Sequence, residues 1–124
     1  MPSRTEHAAK AKRNRDFLAT LDVARWPDWA ATVAFYVVVH TVSQLAEDGT
    51  AFADHGDRNR FLHDEHRPIS RKYIQMKAVA EKARYESIRM FAAHHPPLHV
   101  SSAVIGTWLA DIEKYVEAWL AAKG

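Results

Sequence analysis

The chain has 124 residues, 48% of them hydrophobic and 26% charged, with a net charge of only +2. That length holds one domain, 1–124, around a single core. The absence of cysteine excludes a disulfide scaffold, a thiolate metal site and a cysteine nucleophile, and the most apolar run, Ala30 to Val39, is about half of what a bilayer span needs.

Helical periodicity dominates, and only four glycines interrupt it. A first helix is expected from Thr5 to about Asp22, with Phe17, Leu18 and Leu21 on its inner face. Pro27 suits the first turn of a second helix, which carries Trp29, Val33, Tyr36, Val37, His40 and Leu45 and stops near Asp48-Gly49. Residues 50–56 read as a loop. A short helix over Asp57 to His66 ends before Pro68, because the residue preceding a proline resists helical geometry. The next helix, Ser70 to about Glu86, places Tyr73, Met76, Ala80 and Ala83 at spacings of three and four. His94-His95-Pro96-Pro97-Leu98-His99 reads as a loop. A last helix, from Ser101 or Ser102 to about Ala121, shows Val104, Trp108, Ile112, Tyr115 and Trp119 as an apolar stripe. The fold class is therefore all-α, an up-down bundle of four long helices plus one short. Residues 1–22 are charged throughout and lack the apolar stretch of a signal peptide, so a cytoplasmic protein with no membrane partner is expected.

Positive charge gathers in two places, Lys10, Lys12, Arg13 and Arg15, and then Arg58, Arg60, Arg67, Arg71 and Lys72. Mild basicity permits nucleic-acid binding, while solvated helix faces account for either cluster alone. Within the second cluster, Arg58-Asn59-Arg60-Phe61-Leu62-His63 combines a planar phosphate-binding fork, an amide and an imidazole within two helical turns.

His7, Ala11, Asn14 and Phe17, then Trp29-Ala30, Phe35-Tyr36-x-x-x-His40, Asp54-His55-x-x-Arg58, Tyr73 and Ala83-Arg84-Tyr85 together resemble the HEPN superfamily, in its short single-domain prokaryotic form. The resemblance covers nearly the whole chain. It implies a helical domain that dimerises, found in toxin–antitoxin, antiphage and RNA-processing systems, and often a metal-independent endoribonuclease. The family signature is an arginine, usually a polar residue, and a histidine after four to six intervening positions, paired across the dimer. Arg58-Asn59-x-x-x-His63 fits it. Arg60 to His66 and Arg89 to His94 satisfy the same spacing.

On this reading Arg58, Asn59 and His63 are the candidate catalytic residues, and Arg60, His66 and Arg67 the candidate substrate-binding residues. His63 would be general base to an RNA 2′-hydroxyl or general acid to the leaving 5′-oxygen. Arg58 would hold the phosphate, and Asn59 would orient it. At about 100° per residue, Asn59, His63 and His66 share one helix face, whereas Arg58 lies about 140° from His63, toward the core. No cofactor and no metal are assigned. His55 with His63, His66, Asp54 and Asp57 matches no ligand spacing, and His94, His95 and His99 sit in a proline-rich segment. His40 reads as a satisfied core histidine bonded to Tyr85 or Ser43. Trp26, Trp29, Trp108 and Trp119 read as core or dimer contacts. The expected partners are RNA, a second copy of the chain, and a cognate antitoxin or other partner protein. The competing reading is a catalytically inert helical module that binds a partner protein, nucleotide or nucleic acid.

Overall fold

The computed structural model describes residues 3–22, 25–46, 52, 55–90 and 102–123, with positions 27, 55, 84–90 and 102–105 described by backbone alone. Every regular element among them is helical: α1 Arg4–Thr20, α2 Pro27–Ser43, α3 His55–Glu65, α4 Arg67–Met90 and α5 Ser102–Lys123. None is long and apolar enough to cross a membrane, among the described residues.

α2 is the centre. Its Ala30, Val33, Ala34, Phe35, Val37, Val38 and Val42 are all buried, as expected of a helix apolar on most of its circumference. α1, α4 and α5 each pack on it, and α3 packs on α4. Tyr73, Met76, Ala80 and Ala83 form the buried stripe of α4, while Leu109, Ile112 and Val116 form that of α5. Trp108, Tyr115 and Trp119 lie partly buried against this core.

α1 is different: it fully buries only Ala11 and Leu18. It begins with a capping box, in which Ser3 Oγ accepts from the Glu6 N–H and Glu6 accepts from the Ser3 N–H. After it, Asp22 organises the turn, its side chain accepting from the Arg25 N–H and its carbonyl from the Trp26 N–H. Pro27 then opens α2. The chain thus doubles back, and α1 and α2 lie antiparallel with Arg4 beside the end of α2.

Three expectations are corrected. Phe17 is 51% exposed rather than inward-facing; its neighbour Leu18 takes the buried position, and two adjacent helical residues point about 100° apart. α2 stops at Ser43, because Gln44, Leu45 and Ala46 donate to carbonyls three residues back and tighten the last turn. Pro68 does not separate a helix from a loop. It sits in the first turn of α4, where its missing N–H would have no helical partner, so His66 alone joins α3 to α4. Asp48 and Gly49 themselves and the segment His94 to His99 lie outside the described residues.

Candidate functional site

The central contact of the candidate site joins His7 of α1 to His40 of α2, Nδ1 to Nδ1 at 3.1 Å, with ring centroids 5.4 Å apart. Such a contact requires one imidazole to donate its Nδ1–H to the bare Nδ1 of the other, so the pair holds together neutral or singly protonated. Both pKa values are lowered. For His7 the causes are burial, then Lys10 and Arg58, with Glu6 acting weakly the other way. His40 is pushed down to about 4 by burial, then by His7, Lys10 and Arg58. At neutral pH the pair is therefore neutral, with one ring nitrogen free to accept a proton.

Arg58, on α3, acts on both rings through its charge. Its guanidinium lies 5.2 Å over the Phe52 ring, and Nη1 donates to the Tyr73 hydroxyl at 3.5 Å. Burial first, against an opposing effect of Arg58, raises the Tyr73 pKa, so Tyr73 stays a phenol able to accept from Arg58. Its ring is held 5.7 Å from that of Phe35 on α2. His7 and His40 thus meet between α1 and α2, and Arg58 and Tyr73 meet between α3 and α4, with the Arg58 charge acting on both imidazoles.

His40 also lines an open groove of about 570 Å³ with Lys10, Arg13, Asn14 and Phe17. Two of these are cations, none is a carboxylate, and one is an exposed aromatic ring. An anion in this groove faces two cations and an imidazole along the same wall.

The remaining sequence-predicted residues fall elsewhere. His63 is 62% exposed, with Nδ1 3.3 Å from Asp64 Oδ1. Arg60 is exposed and lies 3.9 Å from Asp57. Arg67 is exposed at the start of α4. Asn59 is half-buried, and its Oδ1 is enclosed with no hydrogen-bond partner among the described residues. His66 is 3% exposed. Its Nδ1 meets the Tyr115 hydroxyl at 2.9 Å, and Phe61, Tyr115 and Trp119 pack edge-on around its ring. Burial leads the lowering of its pKa, so His66 serves as a neutral packing group between α3 and α5. No described contact joins Arg58 to His63, in keeping with their separation around the helix.

Among the described residues no group of three or more histidine, aspartate or glutamate side chains converges as metal ligands do. The side chains of His55, Asp54 and Tyr85 and the Arg89–His94 pair lie outside the described residues. His40 does not bond to Ser43, whose hydroxyl donates to the Val39 carbonyl at 2.6 Å instead. Sequence reasoning gave His7 no chemical role. A signal existed: residues 7 and 40 are nearly equidistant from the turn before Pro27, so an antiparallel pair of helices sets them side by side.

No protein-family model, no curated protein and no solved structure matches the chain.

Proposed function

We propose that this chain is a HEPN-like domain, an up-down bundle of four long helices and one short. In this reading it cleaves RNA without a metal ion, as a cytoplasmic homodimer in a toxin–antitoxin or antiphage setting with a cognate antitoxin or other partner protein. The observation that carries this reading is the His7–His40 contact at 3.1 Å, within the field of Arg58 and at the wall of a basic groove. His40 replaces His63 as the histidine that meets substrate, and Arg58 keeps its phosphate-binding role.

In the tautomer where His40 donates its Nδ1–H to His7, His40 Nε2 carries a lone pair. It takes the proton of a ribose 2′-hydroxyl as O2′ bonds to phosphorus. Arg58 donates to the phosphate oxygens on which charge builds. The bond from phosphorus to the 5′-oxygen then breaks, the 5′-oxygen takes a proton from solvent water while His40 Nε2 returns its own to solvent, and the products are a 2′,3′-cyclic phosphate and a 5′-hydroxyl. The bound phosphodiester offsets the charges of Lys10 and Arg58, which add to burial in lowering the imidazole pKa values. His7 acts through His40 and is a positioning residue.

The test is incubation of the pure protein with structured and unstructured RNA in EDTA, beside His40→Ala, Arg58→Ala and His63→Ala. Cyclic-phosphate ends that vanish in the first two variants and persist in the third support the reading. Loss in His63→Ala with retention in His40→Ala returns the chemistry to the Arg58-x-x-x-x-His63 signature. The second reading, an inert binding module, draws on the bracing of Arg58 by Tyr73 and Phe52, and a folded protein that cuts no RNA selects it.

A further inference from the structure

α2 carries large aromatic side chains that its core does not use. Trp29 is 59% exposed and Tyr36 45% exposed. At about 100° per residue, Trp29, Tyr36 and His40 fall within about 40° of one another around α2. On α1 the groove-lining residues Lys10, Asn14 and Phe17 follow at spacings of four and three, with Arg13 beside them. The antiparallel pairing of His7 with His40 lays these two stripes side by side. The α1–α2 pair therefore presents one continuous face, aromatic and cationic, that runs to His40.

We infer that this face is a stacking platform for an unpaired nucleic-acid strand, whose bases lie on Trp29, Tyr36 and Phe17 and whose phosphates run past Lys10 and Arg13. Aromatic rings interleaved with cations bind single strands without regard to sequence, because every base offers a π-face. Charge complementarity selects this occupant over a second copy. The groove holds cations and no carboxylate, so a two-fold mate would set Lys10 and Arg13 against like charges. The acids of α1 are engaged with their own helix, Glu6 in the capping box and Asp16 with Lys12 at 2.8 Å. Asp28, the acid in the first turn of α2, is turned about 100° away from Trp29. Trp29 and His40 stand about 16 Å apart along α2 at ~1.5 Å per residue, a span of about five stacked nucleotides at ~3.4 Å each.

The strand is the substrate class of the proposed ribonuclease, and the inference rests on that reading for its biological meaning. Its test does not, because it uses a strand without 2′-hydroxyls. Fluorescence anisotropy with labelled oligo-deoxythymidine of 4 to 16 nucleotides (the ~4–16-nucleotide range of single-strand sites) is expected to show affinity rising with length to about five nucleotides and then levelling. Duplex of the same length binds more weakly. Trp29→Ala and Tyr36→Ala each weaken binding about tenfold, and Lys10→Gln with Arg13→Gln flattens the salt dependence. Circular dichroism verifies that these exposed substitutions leave the helices intact. Equal binding of duplex and single strand, or no binding, overturns the platform. So does a dimer that Trp29→Ala and Tyr36→Ala render monomeric in sedimentation, or binding to phosphatidylserine vesicles in place of the strand. Strand binding without RNA cleavage keeps the platform and removes the catalytic reading; cleavage unaffected by the aromatic substitutions does the reverse.

Discussion

Arg4 and Gln44 close the open end of the α1–α2 pair: Arg4 Nε donates to the Gln44 carbonyl at 2.7 Å, and Nη2 reaches the Ala46 carbonyl at 3.2 Å. Gln44 and Ala46 lie in the tightened turn just past α2, beside the negative pole at the end of that helix. The Arg4 guanidinium donates to both turn carbonyls and sets its positive charge against that pole. α1 fully buries only Ala11 and Leu18, and this clamp adds to the packing of α1 on α2 that holds it in place. Arg4→Met keeps the stem and removes the fork, and is expected to lower stability by about 1–3 kcal/mol. Urea denaturation measures it; an unchanged midpoint means that water serves those carbonyls equally well.

The His66–Tyr115 contact ties the corner between α3 and α4 to α5. Tyr115→Phe removes one partner of a part-buried hydrogen bond and is expected to cost about 1 kcal/mol. His66→Ala also leaves a hole among three aromatic rings, and about 2–4 kcal/mol follows from such truncations. Arg67→Ala, one residue on and exposed, stays within about 0.5 kcal/mol. If His66 instead served a ligand at the surface, the order of these effects in thermal melts would not hold.

Stability is expected to fall in mild acid because of His40. Its folded pKa of about 4 lies below the ordinary histidine value of 6.5, so the unfolded chain binds the proton more readily. The stabilisation is fully present above pH 6.5, declines as pH drops, and is lost by about pH 4. His7, Lys10 and Arg58 press in the same direction. The part-exposed ring is screened by water, so the loss is on the order of 2 kcal/mol. His40→Asn is expected to flatten the melting-temperature profile between those limits. A variant profile parallel to wild type assigns the acid sensitivity to His66 or other groups.

On the proposed ribonuclease reading, Tyr73 acts by holding Arg58, to which it is bonded at 3.5 Å. Tyr73→Phe keeps the ring against Phe35 and removes the acceptor, so RNA cleavage is expected to fall about three- to tenfold, chiefly through KM, with little change in melting temperature (~1 kcal/mol at most). A matching loss in His63→Ala, with none in Tyr73→Phe, places the phosphate on the exposed side of α3.

Local pattern in the chain was enough for the helices and most of their buried faces. Tyr73, Met76, Ala80 and Ala83 recur at the helical period and are all buried, and Pro27 begins a helix where its missing N–H does no harm. Periodicity reports which side of a helix is apolar, because that property repeats along the sequence. It does not report which polar side chains meet across two helices. The contacts His7–His40, Arg4–Gln44 and Arg58–Tyr73 span 33, 40 and 15 positions, and nothing local to either partner marks them. The same limit applies to Phe17 and Trp29. Their residue types record a preference for leaving water, and only the packing of α1 on α2 decided that the cover does not come from this chain's own core.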